Sequence, residues 1–124
     1  MDHGPQERSD LEIARRFLHA MQRGLSGEDE LVSLFADDGV YVESLTTGEP
    51  RAHHGRAAIR LALHEGLKWN PPDFTVTLDR LEVERGEVVA NWTCRSSQLP
   101  APMRGVDRYL VEEGVIKRLE TRAG

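Results

Sequence analysis

The spacing of the apolar residues changes near Phe74, and this change restricts the chain to folds that combine helices with a sheet. Before Phe74, apolar residues mostly recur every three or four positions, which is the period of a helix with one buried face. From Phe74 onward they recur at every second position, which is the period of a strand with one buried face. The pattern is typical of an α+β domain, in which helices pack on one face of an antiparallel sheet.

Three helices are predicted in the first half of the chain. They cover residues 10–23, 28–36 and 56–64. The first has the clearest ends, because Ser9 and Glu12 have the spacing of a capping box and Gly24 can adopt the left-handed conformation that ends a helix.

A short strand is predicted between the second and third helices, and four longer strands follow the third. The predicted strands cover residues 40–42, 74–83, 88–99, 103–111 and 115–121. Asp79 and Arg80 shift the alternation of the first long strand, which indicates a β-bulge. We therefore expect a cone-shaped, curved antiparallel sheet with the three helices packed on its concave face, in the order ααβαββββ, and a pocket inside the cone.

Composition and length exclude several classes of protein. The chain has 124 residues, and 16 Lys and Arg against 21 Asp and Glu give a net charge of −5, so nucleic acid is not expected as a partner. Apolar runs are too short to cross a membrane, and the first ten residues lack the apolar core of a secretory signal, so a cytoplasmic protein is expected. A flexible tail over residues 1–8 and a single domain over residues 9–122 are predicted.

The sequence also argues against several kinds of cofactor site. Cys94 is the only cysteine, which excludes an internal disulfide and favours a buried thiol. No glycine-rich phosphate-binding motif is present, so no nucleotide cofactor is expected. His53 and His54 are adjacent in a predicted loop and no further ligand completes a zinc set, so no metal is expected and a role as acid or base at the pocket rim is the functional alternative.

Three segments resemble a known family. The sequences LFADDGV at residues 34–40, GEPR at 48–51 and GRAAIR at 55–60, followed by the terminal strands, resemble the nuclear transport factor two-like superfamily. Within it the chain is most similar to SnoaL-like proteins and steroid delta-isomerases, over residues 11–121. The resemblance implies a homodimer with a pocket for a small apolar carbonyl or cyclic ligand, and an isomerase or cyclase that needs no cofactor.

Two carboxylates carry the chemistry that the resemblance implies. Glu43 takes the position of the general base and Asp107 that of an acid that stabilises an oxyanion, whereas the tyrosine that steroid isomerases carry on their first helix is replaced by Phe17. Alternation independently places Asp107 on the same strand face as Tyr109. If that face is concave, burial would raise the pKa of Asp107 and let it donate to a carbonyl oxygen. The alternative for Asp107 is an exposed or ion-paired carboxylate, and the alternative for Glu43 is an ordinary surface glutamate at a strand end.

Aromatic side chains are the predicted substrate contacts. They are Phe17, Tyr41, Trp69, Trp92 and Tyr109. Alternation puts Tyr41 on the same side as Glu43. The resemblance implies that Trp92 points inward, where it could stack on a flat ligand or simply pack in the core. Trp69 is expected at the lip of the pocket.

Two further interpretations remain open at this stage. The chain could be a non-catalytic module that binds an apolar ligand or forms a dimer through the outer face of its long strands, where Val89, Asn91, Thr93 and Arg95 lie. An epoxide hydrolase is less favoured, because Arg104 and Asp107 are three residues apart and alternation sends them to opposite faces of a strand.

Overall fold

The computed structural model describes residues 4–44 and 47–124, which form three α-helices, one short 3₁₀ helix and six strands. The helices are α1 (Pro5–Gln22), α2 (Glu28–Ser33) and α3 (Gly55–Leu67), and the 3₁₀ helix covers Gly24–Gly27. The strands are β1 (Phe35–Glu43), β2 (Arg51–His54), β3 (Thr75–Glu84), β4 (Glu87–Arg95), β5 (Met103–Glu112) and β6 (Val115–Ala123). Among the helices of this described part, none has the length and apolar content that crossing a membrane requires.

The strands form one curved, unclosed sheet in the order β2-β1-β6-β5-β4-β3. Helices α1 and α3 pack against it, α1 on β3 and β4 and α3 on β1 and β2, which confirms the predicted α+β class. The expectation of a wholly antiparallel sheet was wrong, because β1 and β6 run parallel. Their pairing joins residues that are far apart in the chain, so it cannot be predicted from the local residue pattern of either strand.

Strand β2 is a second difference from the prediction. Residues 51–54 were expected to lie in a loop, but they pair antiparallel with β1 and extend the sheet at its edge. The segment is short and lacks apolar alternation, so only its pairing partner makes it a strand. The element order is therefore ααββαββββ.

Helix α1 begins at Pro5 rather than at Asp10. Proline suits the first helical position because its missing N–H would be unpaired there, and the Gly4 N–H donates to the Glu7 side chain at 3.2 Å. The second half of the predicted tail is consequently helical. Residues 1–3 of that tail lie outside the described residues.

Helix α2 ends at Ser33, three residues before its predicted end. Phe35 already belongs to β1, and the Ile116 N–H donates to the Leu34 carbonyl at 2.8 Å. Backbone pairing with β6 therefore overrides the helical apolar pattern at this point. Helix α3, in contrast, continues past its predicted end at residue 64 and ends at Leu67.

The bulge predicted in the first long strand is confirmed. The register between β3 and β4 shifts between Leu78 and Arg80. A bulge bends its strand and increases the local twist, which contributes to the curvature of the sheet around α1.

An aromatic cluster joins α1 to the concave face of the sheet. The ring of Phe17 contacts those of Tyr109 at 5.7 Å and Phe35 at 6.1 Å between centroids, both edge to face. Phe35 and Tyr109 are completely buried. Phe17 also borders a cavity, so the helix that completes the core forms one wall of the candidate site.

Candidate active site

A cavity of about 640 Å³ lies between α1, α3 and the concave face of the sheet. Its wall is mainly apolar and includes residues of α3 from Ala58 to Leu67, followed by Trp69. The polar side chains in the wall are Glu43, Arg51, His53, Glu65, Asn70, Asp107 and Thr121. A mostly apolar wall with a few polar groups is the usual composition of a site for a small organic molecule.

Glu43 and Asp107 lie on one row across the concave face. Glu43 is paired with Thr121 between β1 and β6, and Thr121 is paired with Asp107 between β6 and β5. Two strand spacings therefore separate the two acids, which is roughly 10 Å between their Cα atoms. The exposed fractions of Glu43 and Asp107 are only 6% and 2%. Both carboxyl groups border the same cavity.

Asp107 accepts hydrogen bonds from three side chains. Trp92 Nε1 and Thr121 Oγ1 donate to its Oδ1 at 2.9 and 2.8 Å, and the Tyr109 hydroxyl donates to its Oδ2 at 2.8 Å. Burial raises the pKa of Asp107, and the three donors oppose that rise. A neutral Asp107 can keep both bonds at Oδ1 and carry its proton on Oδ2, where it could be donated.

Gly105 makes the Trp92 contact possible, and sequence analysis assigned it no role. The two residues are paired between β4 and β5, and a Cβ atom at position 105 would lie 2.0 Å from the indole ring. The missing side chain thus lets the indole lie across β5 and reach Asp107. A glycine inside a predicted strand is the signal that could have indicated this close approach.

The side chain of Glu43 contacts that of His53, and sequence analysis did not predict this contact. His53 Nε2 lies 3.2 Å from Glu43 Oε2, and the side chains are 15% and 8% exposed. The imidazole also packs against the Tyr41 ring, with 6.0 Å between centroids. Strand β2 positions this pair, because it places His53 opposite Tyr41 and leaves His54 exposed. His53 is therefore part of the cavity wall and not of a surface loop.

Burial also affects two further ionisable side chains in the cavity wall, Tyr41 and Cys94. Burial raises the pKa of the Tyr41 hydroxyl far above its usual value. Burial also raises the pKa of Cys94 to about 12, so its thiol, which borders the cavity, is a weak nucleophile. Within residues 4–44 and 47–124, no group of three or more His, Cys, Asp and Glu side chains is arranged to hold a metal ion.

The predicted aromatic contacts divide into two sets. Phe17, Tyr41, Trp69 and Trp92 border the cavity, and Trp69 lies at its mouth with 77% of its surface exposed. Tyr109 does not border the cavity, because its ring is packed against Phe17 and only its hydroxyl reaches Asp107. Tyr109 is thus placed to act through Asp107 and not on a ligand.

Comparison with known families agrees with this architecture. A family model described as the SnoaL-like domain matches residues 14–119. The chain belongs to the SnoaL-like domain family. This membership confirms the resemblance to the nuclear transport factor two-like superfamily that the sequence motifs indicated. No curated protein matches the sequence of this SnoaL-like chain.

Solved structures share the SnoaL-like fold at low sequence identity. A candidate SnoaL-like polyketide cyclase from Jannaschia matches with a TM-score of 0.79 and 14% identity, over 99% of this chain and 90% of that one. A candidate ketosteroid isomerase from Kribbella flavida matches with a TM-score of 0.74 and 18% identity, over 96% and 80%. An LEH-like epoxide hydrolase from M. tuberculosis matches with a TM-score of 0.74 and 18% identity, over 97% of this chain and 86% of that one. These similarities establish the fold alone. The reaction has to be inferred from the residues of the site.

Proposed function

We propose that this SnoaL-like protein is a cofactor-independent enzyme that transfers a proton on an apolar carbonyl compound, in an isomerisation or a cyclisation. One observation carries the proposal: two buried acids, Glu43 and Asp107, lie on one row of the concave face and border the same apolar cavity. Their surroundings differ, and such a difference lets one acid serve as base while the other serves as hydrogen-bond donor.

Glu43 is the proposed general base. Its carboxylate contacts the imidazole of His53, so it is held in one orientation at the cavity wall. A base must come within hydrogen-bond distance of the proton that it removes, and a carboxylate held at the wall can approach a ligand in this way. His53 is proposed to position Glu43.

Asp107 is the proposed oxyanion stabiliser. Its raised pKa favours the neutral form, and the Oδ2 proton could then be donated to a carbonyl oxygen. Phe17 supplies no hydrogen bond to that oxygen. Asp107 would therefore provide this stabilisation without help from α1.

The proposed reaction begins when Glu43 removes a proton from the carbon next to the carbonyl group. The electron pair of the broken C–H bond forms an enolate, whose oxygen accepts a hydrogen bond from Asp107. Protonated Glu43 then returns the proton to another carbon of the conjugated system, which gives an isomer. In the cyclisation, the enolate carbon instead attacks a second carbonyl group of the same molecule, and the resulting alkoxide takes the proton.

Exchange of ketone protons for deuterium tests the first step without knowledge of the natural substrate. A panel of cyclic ketones is incubated with the protein in D₂O, and loss of the proton signals next to the carbonyl is followed by NMR. We expect E43Q to slow this exchange by about 100-fold or more, because it removes the base. Ligand affinity should change little, since the amide keeps the shape of the carboxylate.

The matched control is E112Q, which changes an exposed glutamate at the end of β5. It should leave the exchange rate unchanged. Equal rates in the wild-type protein and in E43Q would overturn the proposed role of Glu43.

One observation favours a second candidate, a module that binds an apolar ligand without turnover. All three donors to Asp107 belong to the protein, so this carboxylate could serve only to hold the cavity wall together. Saturable binding of a cyclic ketone, with no exchange above the rate in buffer, would support this candidate and exclude the enzyme.

A homodimer belongs to the same proposal, but its predicted surface needs correction. Val89 and Thr93 were expected to offer an outer face, yet both are buried within the single chain. Asn91 is half-buried and Arg95 is exposed, so of the four predicted residues these two remain accessible to a second copy of the chain. Native mass spectrometry measures the oligomeric state directly.

The epoxide hydrolase interpretation gains no support from the site. Arg104 is exposed on the opposite face of β5 from Asp107. The alternation predicted from sequence is the reason, and it leaves Arg104 outside the cavity wall.

A further inference from the structure

Arg51 is a cationic residue of the cavity wall whose side chain the rest of the protein does not pair. It is exposed on β2, and within residues 4–44 and 47–124 its guanidinium takes part in no hydrogen bond or ion pair. By contrast, the Glu65 carboxylate in the same wall forms an ion pair with Lys68 at 2.9 Å. A guanidinium carries five N–H donors in a planar fork, so Arg51 keeps its full capacity for binding an anion.

Strand pairing places Arg51 at one end of a row of polar residues across the concave face. Arg51 is paired with Glu43 between β2 and β1, and the row continues through Thr121 on β6 to Asp107 on β5. Directly paired residues share a face of the sheet, and all four residues border the cavity. The order along the row is therefore a cation, the proposed base, a threonine and the proposed oxyanion stabiliser.

The length of this row limits the size of a ligand that contacts both of its ends. Three strand spacings separate Arg51 from Asp107, which is roughly 14 Å between their Cα atoms. The ends of the side chains lie closer together than the Cα atoms, because the row is on the concave face. A molecule of two fused rings with an oxygen group at each end can therefore bridge them.

The charges along the row decide which oxygen group belongs at each end. Beside Glu43 and Asp107 a ligand carboxylate would face acidic side chains, whereas a neutral carbonyl oxygen can accept a hydrogen bond from Asp107. Among the described residues of the wall, Arg51 is the only Arg or Lys, so a ligand anion is stabilised there. A carboxylate matches one guanidinium in charge and shape, whereas a doubly charged phosphate would leave a negative charge beside Glu43.

We propose that Arg51 is a ligand-binding residue and that the cavity takes a keto acid, an apolar molecule with a ketone at the Asp107 end and a carboxylate at the Arg51 end. The guanidinium donates two parallel hydrogen bonds to the carboxylate. This inference rests on the proposed function, because it names the substrate class of the same cavity. Equilibrium binding tests it, whereas proton exchange tests the role of Glu43, so either can fail without the other.

The test compares 6-carboxy-2-tetralone with its methyl ester, which keeps the ketone and both rings but carries no charge. At neutral pH the acid is ionised. In the wild-type protein we expect the acid to bind about tenfold more tightly than the ester, because the guanidinium adds charge-assisted hydrogen bonds. In R51Q this preference should disappear, while the affinity for the ester stays the same. Isothermal titration calorimetry gives the dissociation constants.

Ionic strength and a conservative variant provide further readouts. The preference for the acid should decrease as salt is raised to about 0.5 M, because salt screens the exposed guanidinium. R51K keeps the charge but loses the planar fork, so only part of the preference should remain. If Arg51 has a purely structural role, its replacement will instead change the affinities for both probes alike. R51M takes the place of R51Q in the same comparison if R51Q does not fold.

The matched control is R104Q, which removes the charge of an exposed arginine on β5 outside the cavity wall. It should leave the affinities for both probes unchanged. A preference for the acid that R51Q abolishes and R104Q retains supports the proposal. Failure of the acid to bind the wild-type protein, equal binding of acid and ester there, or an undiminished preference in R51Q overturns it.

Discussion

Burial and hydrogen bonding have opposite effects on the pKa of Asp107. The exposed fraction of this acid is 2%, which disfavours its charged form, yet three side chains donate to it, which favours that form. Burial is the larger influence, so its pKa lies above the usual value. The balance matters for function, because only a neutral Asp107 has a proton to donate.

The pH dependence of stability tests this balance through D107N. Because the pKa of Asp107 is higher in the folded than in the unfolded state, the folded protein binds more protons between about pH 4 and that raised pKa. The free energy of unfolding contributed by Asp107 is therefore fully present below about pH 4 and decreases as the pH rises through this interval. Since D107N has no carboxyl group, the stability of the wild-type protein relative to D107N should fall with rising pH.

Urea unfolding of both proteins at several pH values measures this difference. If the stability of the wild-type protein relative to D107N instead increases as the pH rises, the three donors outweigh burial and lower the pKa of Asp107 below its value in the unfolded chain. Its proposed role as a hydrogen-bond donor would then fail.

At the scale of elements, two hairpin turns hold the long strands in register. Arg85 and Gly86 have φ values of 53° and 80°, and Glu113 and Gly114 have φ values of 52° and 79°. Two consecutive residues in the left-handed region form the turn whose twist matches that of antiparallel strands. The second turn joins β5 to β6, and the register shift between Leu110 and Val111 then sets Asp107 opposite Thr121.

Replacing Gly114 with alanine should destabilise the protein by about 1 kcal/mol, because a Cβ atom disfavours the left-handed conformation. No heavy atom lies within 4 Å of that Cβ position, so the cost is conformational and not steric. G66A is the matched control, since Gly66 lies in α3 and also has open space around it. Alanine should stabilise that helix by about 0.5–1 kcal/mol. Urea unfolding of both variants gives the opposite signs, and equal signs would contradict this account.

At the scale of the whole molecule, the core and the cavity share residues. Phe17 packs on Phe35 and Tyr109 and also borders the cavity, so the contacts that hold α1 on the sheet also shape the site. Changes that loosen the core should therefore change ligand binding, and a ligand that binds only the folded state should stabilise the whole domain.

Replacing Phe17 with alanine should lower the free energy of unfolding by about 3–5 kcal/mol, because a buried aromatic ring is lost and a void remains. L25A is the control, since Leu25 is half exposed on the 3₁₀ helix, and its cost should stay near 0.5 kcal/mol. Urea unfolding followed by tryptophan fluorescence measures both. A small effect of F17A would mean that α1 is not essential to the core.

The sequence by itself determined the three helices, five of the six described strands and which residues share a strand face. Alternation placed Asp107 on the same strand face as Tyr109, which the structure shows to be buried, and the shift at Asp79 and Arg80 located the bulge. Motif resemblance indicated the superfamily. These features were predictable because each depends on residues that are close in the chain.

Only the tertiary structure decided which of these elements meet. The parallel pairing of β1 with β6 sets Glu43 two strands from Asp107, and the edge strand β2 brings His53 to Glu43. Such contacts join residues that are distant in sequence, and their free energy comes from burial and pairing in the assembled fold, which no local pattern of residues encodes.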